Sequence, residues 1–157
     1  MTNELGGWSI SERLLHTMLE YVPRGVVLEL GSGYGTEILS QHYTVYSIEH
    51  DPRWIGKYES TYIHAPIVGS WYDLEVLNEE LPKIEPYDIL LIDGPPWVIG
   101  RSGFAFNLDL FDTSVPIFFD DIHRSDDALL VKTVSQMLDR PWLPWVSKDD
   151  SFGVIPK

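Results

Sequence analysis

At 157 residues, 44% hydrophobic and 22% charged, the chain is of single-domain size, with one sizeable core expected over residues 1–157. A net charge of −13 with eleven scattered Lys and Arg disfavours nucleic acid as a partner, and the absence of cysteine excludes disulfides and thiolate metal sites. No apolar run reaches membrane-spanning length and MTNELGGWS lacks signal-peptide character, so a cytoplasmic protein without a membrane partner is expected.

Residues 1–23 read as an N-terminal helical segment. Ser9 followed by Glu12 fits a capping box, and Ile10, Leu14, Leu15, Met18 and Leu19 recur at helical spacing until Pro23 and Gly25 end the helix. Gly6 and Gly7 make a turn from which Trp8 either staples this helix to the core or covers a ligand. Val26, Val27, Leu28 and Leu30 then form a buried parallel-type strand, followed by Gly31, Gly33 and Gly35. Such a turn tolerates positive φ and lets backbone amides approach a ligand. A helix is expected from Thr36 to Gln41, and a strand from Thr44 to Ile48 with Glu49 at its carboxyl end. In open α/β sheets that end borders the ligand crevice.

Pro52–Tyr58 reads as a short helix with proline in its first turn, and Tyr62–Val68 as a third strand closed by Gly69. Ser70, Trp71, Tyr72 and Asp73 lead into a helix over Leu74–Leu81. Tyr87–Ile92 is the fourth strand, ended by Asp93, and Gly94-Pro95-Pro96-Trp97 turn the chain outward into a glycine- and aromatic-rich loop. Pro116–Phe119 is the fifth strand, closed by Asp120, Asp121, Ile122, His123 and Arg124. Ser125 is placed as the cap of a helix that buries Leu129, Leu130, Val134 and Leu138. Trp145–Ser147 and Phe152–Ile155 are joined by so short a connection that they must form an antiparallel hairpin.

The glycine spacing is G-x-G-x-G, with Thr36 where the dinucleotide fingerprint G-x-G-x-x-G wants glycine. Together with Glu29 it reads E-x-G-x-G-x-G, followed by an acid, Glu49, ending the next strand. In these two motifs the chain resembles the class I S-adenosylmethionine-dependent methyltransferases. The resemblance implies an α/β, doubly wound, mostly parallel seven-stranded sheet with an antiparallel C-terminal hairpin, Rossmann-like, spanning the whole chain. It implies S-adenosylmethionine as cofactor, with Gly31, Gly33 and Gly35 under its methionine part and Glu49 on the ribose hydroxyls. Glu29, Ser32, His50 and Asp93 complete the implied cofactor contacts, with Ser70 and Trp71 beside the adenine. Ser70 departs from the acid usual there, and Asp73 either meets the adenine amine or caps the following helix.

Asp93, Asp120 and Asp121 lie at the carboxyl ends of adjacent strands. Such an acid and acidic pair resemble the arrangement of metal-dependent catechol-type and sugar O-methyltransferases, implying Mg²⁺ or another divalent cation; the alternative is that they cap the Ser125 helix. Asp93, His123 and Asp120 are the candidate catalytic residues, His123 being the natural general base without a metal. Arg101 and Arg124 either fork an anionic group or pair with the abundant acids, and Trp97, Phe104 and Phe106 line an apolar pocket or pack the loop. The expected activity is O-methylation of a small-molecule acceptor. Two alternatives stay open: N-methylation using Pro95-Pro96-Trp97, whose spacing from Asp93 is spoiled by Gly94, and an inactive cofactor-binding partner subunit. A homo-oligomer is left open.

Overall fold

The computed structural model describes residues 10–157. In chain order the elements are α1 (Glu12–Tyr21), β1 (Val26–Leu30), α2 (Tyr34–Ser40), β2 (Thr44–Glu49), β3 (Thr61–His64), β4 (Ile67–Val68), β5 (Trp71–Tyr72), α3 (Leu74–Glu80), β6 (Ile89–Ile92), α4 (Gly103–Phe106), β7 (Ile117–Asp120), α5 (Ser125–Leu138), β8 (Leu143–Val146) and β9 (Ser151–Ile155). The main sheet has seven strands in the order β3-β2-β1-β6-β7-β9-β8. Strands β3, β2, β1, β6 and β7 pair in parallel, whereas β9 runs antiparallel to both β7 and β8. The expected sheet and its C-terminal hairpin are therefore present.

Period-two alternation sends the apolar strand residues into two layers. Leu28, Leu30, Leu90, Ile92, Ile117 and Phe119 join Leu77 of α3 and Leu130, Val131 and Val134 of α5. Val27, Ile89, Leu91 and Phe118 face the other way, onto Leu14 and Met18 of α1 and Leu39 of α2. Burial on both faces explains why these strands read as continuous apolar runs. From β1 the chain winds outward through β2 to β3, then returns to place β6 on the other side of β1. The crevice at such a reversal lies beyond the carboxyl ends of β1 and β6. No helix among the described residues is long and apolar enough to cross a membrane.

Several local expectations are corrected. The α1 cap is Ser11, whose Oγ accepts the Leu14 N–H at 3.0 Å; Ser9, Trp8 and the turn before them lie outside the described residues. Pro52–Tyr58 forms turns rather than a helix, with Gly56 at φ +74° breaking the helical path. The third strand stops at His64, because Pro66 has no N–H for the ladder. Ile67–Val68 instead pairs antiparallel with Trp71–Tyr72 across a tight turn that needs Gly69 at φ +69°. Arg124, not Ser125, is the N-cap of α5, and Leu129 is 62% exposed while Leu130 next to it is buried. Asp73 is the N-cap of α3, its Oδ1 accepting the N–H of Glu75 at 3.0 Å and of Val76 at 3.5 Å.

Phe118 sits on β7, fully buried, with Tyr21 edge-on at 5.7 Å between ring centroids. Phe118→Ala is expected to lower unfolding free energy by about 3–5 kcal/mol in a urea titration. A loss under about 1 kcal/mol would show that this layer does not carry the fold.

Candidate active site

The turn after β1 is set by one glycine. Gly31 has φ +92°, and a Cβ there would lie 2.6 Å from the Asp93 carbonyl oxygen. Gly94 faces it, where a Cβ would fall 2.7 Å from Gly31 Cα and 2.7 Å from Tyr72 Oη. Two backbones in contact thus form the floor between the two loops. Gly33 is extended at the N-cap of α2, and Gly35 is buried in its first turn.

Glu29 fixes this turn from beneath rather than facing the crevice. Its Oε2 accepts hydrogen bonds from Thr36 Oγ1 at 2.7 Å and Ser47 Oγ at 2.6 Å, while Thr36 Oγ1 receives the Gly33 N–H at 3.1 Å. Burial pushes the Glu29 carboxyl up to about 8, against the pull of these hydroxyls. Glu49 ends β2 with Oε1 accepting the Ser32 N–H at 3.0 Å and Oε2 accepting the Asp51 N–H at 2.7 Å; His50 Nδ1 lies 3.0 Å from Oε2.

The ends of β6 and β7 bring three carboxylates together. Among the described residues, Asp93, Asp120 and Asp121 each offer an oxygen within 4.8 Å of the others. Arg101, only 6% exposed, reaches into the same space from the loop before α4. Its Nη2 lies 3.5 Å from Asp93 Oδ1 and 3.3 Å from Asp121 Oδ2, and its Nη1 lies 3.8 Å from Asp127 Oδ1. Arg124 donates to Asp121 Oδ2 at 2.8 Å and to Asp127 Oδ2 at 2.7 Å. Asp121 adopts φ +62°, a left-handed conformation that Asp tolerates. Desolvation pushes Asp93 up to about 7 despite Arg101, and burial next to Asp93 and Asp121 raises Asp120 well above the usual carboxylate range. The oxygens alone suit a divalent cation, but the buried guanidinium among them does not. None of the three acids caps α5, whose N-cap is Arg124 with no side-chain cap hydrogen bond.

These groups share one cleft of about 710 Å³ at the topological reversal. Gly31, Ser32, Glu49 and His50 line its β1–β2 side, and Asp93 to Trp97 with Arg101 line its centre. Asp120, Asp121, His123 and Arg124 complete the β7 side. His123 is exposed at the rim, with Nδ1 2.9 Å from Ser151 Oγ.

No protein-family model and no curated protein matches the sequence. Solved structures do. The N-methyltransferase NodS from Bradyrhizobium japonicum WM9 is 15% identical, with a TM-score of 0.54 over 92% of this chain and 93% of that one. Magnesium protoporphyrin IX methyltransferase from Synechocystis PCC 6803, solved with bound S-adenosylmethionine, is 10% identical, with a TM-score of 0.55 over 92% and 76%. A methyltransferase from Pyrococcus furiosus is 16% identical, with a TM-score of 0.54 over 90% and 79%. The chain has the class I methyltransferase fold.

Within that methyltransferase fold, some expected contacts do not reach the cleft. Ser70 lies at the exposed tip of the β4–β5 turn. Trp71 is buried under α4, where a Cβ on Gly103 would lie 2.2 Å from its Cγ. Phe104 is core, packed on Phe111 and Phe119, whereas Trp97 and Phe106 are exposed. Residues the sequence did not single out for the site include Ser47, Tyr62, Asp127 and Ser151. Thr36 was visible as a break in the dinucleotide pattern, and its hydroxyl supplies the link that a glycine would lack.

A carboxyl whose pKa is raised by folding keeps a proton that the unfolded chain has already released. Stability contributed by Glu29 therefore falls as pH rises from the ordinary carboxylate range toward about 8. Urea unfolding between about pH 5.5 and 7.5 should show this decline, and Glu29→Gln should flatten it by up to about 1.4 kcal/mol per pH unit. Parallel profiles for the two proteins would mean that Glu29 is ionised in the fold.

Proposed function

We propose that this chain is an S-adenosylmethionine-dependent methyltransferase acting on a hydroxyl of a small-molecule acceptor. The observation that carries the reading is the single cleft that joins Glu49, Ser32 and Gly31 to Asp93, Asp120 and His123. The residues present fit the cofactor. Glu49 offers acceptor oxygens to ribose hydroxyls and is held by the Ser32 and Asp51 amides. Gly31 and Gly94 let the two loops touch backbone to backbone, which gives the cleft its floor. When bound, S-adenosylmethionine supplies an electrophilic methyl group for in-line displacement.

The chain's own task is to orient an acceptor oxygen and take its proton. Asp93, held near 7 by burial, suits a base at neutral pH. His123 offers a second route. For its Nε2 to accept a proton, Nδ1–H must donate to Ser151 Oγ, which already receives the His123 backbone N–H at 2.9 Å. Beside the cleft runs an apolar groove of about 990 Å³ lined by Ala105, Phe106, Leu129, Leu130 and Met137, and it shares Trp97, Arg101 and Arg124 with the cleft. It gives the body of an apolar acceptor a place next to the carboxylates. N-methylation is less favoured, because the Pro95 carbonyl that would help hold an amine accepts Arg101 Nε at 3.0 Å.

Calorimetric titration with S-adenosylhomocysteine tests the reading, with NAD as the control. Micromolar binding of the first and none of the second is expected, and Glu49→Ala should weaken it about tenfold or more, or about 1.4 kcal/mol. Absence of binding to the wild-type protein would sink the methyltransferase reading. Binding that Glu49→Ala leaves unchanged would remove Glu49 from the cofactor site.

A further inference from the structure

The carboxylates set out as metal ligands share their space with a cation of the chain itself. All three guanidinium nitrogens of Arg101 are engaged. Nε donates to the Pro95 carbonyl at 3.0 Å and Nη1 to the Asp120 carbonyl at 3.3 Å, while Nη2 is shared between Asp93 and Asp121. The head is thus tied to the loops after both β6 and β7, and its 6% exposure leaves it little room to swing out. Mg²⁺ demands near-octahedral oxygens at about 2.0–2.1 Å and usually keeps several waters. To reach Asp93 and Asp121 together it would have to enter beside a fixed positive charge already 3.3–3.5 Å from their oxygens. Two of the carboxylate oxygens carry further bonds: Asp120 Oδ1 accepts the Asp121 N–H at 2.8 Å, and Asp121 Oδ2 accepts Arg124 Nη2 at 2.8 Å.

We infer that the guanidinium of Arg101 stands where a divalent cation would sit among Asp93, Asp120 and Asp121, so that the cluster is held on an internal cation and binds no metal. The inference concerns the cluster and does not need the cofactor reading to be right. If both hold, Arg101 is a positioning residue: it fixes the Asp93 carboxylate and the Asp120–Asp121 backbone relative to the Pro95 turn. The same arrangement carries a converse. Without the guanidinium, Arg124 on Asp121 would be, among the described residues, the one cation left against three carboxyl groups with oxygens within 4.8 Å of one another, and the space beside Asp93 would be open to a dication.

The test is Mn²⁺ titration of the full chain, followed by the electron paramagnetic resonance signal of the free ion at about pH 8, where protons compete least. The wild-type protein should leave Mn²⁺ free up to about 1 mM, and Arg101→Met should bind it about tenfold more tightly or better. Adding Asp121→Asn to Arg101→Met should remove that gain. Wild-type binding that Asp121→Asn abolishes overturns the inference, as does a folded Arg101→Met protein with no gain over wild type. Should Arg101→Met not fold by circular dichroism, Arg101→Gln keeps an N–H for the Pro95 carbonyl and is read by the same two outcomes. S-adenosylhomocysteine titration of the same samples reports separately on the cofactor, so a failure of either idea is recognisable as its own.

Discussion

Two glycine backbones meeting at the carboxyl end of the sheet set the geometry of everything above it. Gly31 leaves β1 and Gly94 leaves β6, and neither position has room for a Cβ against the other loop. The contact is anchored on both sides, by Gly31 N–H donating to the Ile48 carbonyl at 2.8 Å and by Asp93 N–H donating to the Leu30 carbonyl at 3.0 Å. At this topological reversal the chain leaves β1 and β6 for opposite faces of the sheet, with Leu39 of α2 in one layer and Phe104 of α4 in the other. The two loops touch at their start, and the cleft opens above that contact, with Glu49 on one flank and Asp93 on the other. Glu29 holds this floor from below through Thr36 and Ser47, and Arg101 holds it from the β7 side through Pro95 and Asp120.

The parts of the fold that were legible are those in which a single local rule agrees with the tertiary outcome. Strands β1, β2, β6 and β7 are covered on both faces, so their sequences are apolar runs that end in an acid or a glycine turn. Pro52–Tyr58 satisfies helix rules locally, yet Gly56 takes a positive φ. There Trp54 and Tyr58 pack with Tyr34, and Lys57 Nζ sits 4.3 Å from the Trp54 ring centroid. That cluster involves α2, which no window over the segment itself contains. In α5 two apolar stripes fit the helical period. Leu130 and Val134 are in the core while Leu129 and Met137 are exposed along the groove, and periodicity alone does not say which stripe is inward. The break at Pro66, by contrast, was available from the missing N–H.

The site divides along the same line. Gly31, Ser32, Glu49, His50, Asp93, Asp120, Asp121 and His123 reach one cleft because each follows directly on a strand of the parallel sheet, where chain position fixes spatial position. Ser70 and Trp71 miss it because the strand meant to carry them ends early and a separate hairpin carries them instead. Arg101 is in no regular element, so nothing in its neighbourhood in sequence ties it to Asp121. What the sequence offered was indirect: a basic residue in an otherwise glycine- and aromatic-rich loop between two strands that end in acids, in a chain short of cations.

Charge in this molecule has to be counted locally. The net charge of −13 belongs to the whole chain, whereas the cleft sets Arg101 and Arg124 against Asp93, Asp120, Asp121 and Asp127. Two of those acids are pushed toward their neutral forms by burial, so near neutral pH the cluster is closer to balance than its residue count implies. Rising pH removes a proton that the fold favours keeping, which lowers stability through Asp93 as it does through Glu29. The same loss turns Asp93 into the carboxylate that a proton-accepting role requires. Stability and the proposed chemistry thus respond to pH in opposite directions at one residue, and Arg101 is the group that keeps the ionised form tolerable inside the fold. A metal in that place would have pulled Asp93 far below neutrality and removed the opposition. A guanidinium leaves it near 7, so that around neutral pH the protonated and ionised forms coexist, and the ionised form is the one the proposed proton transfer would use.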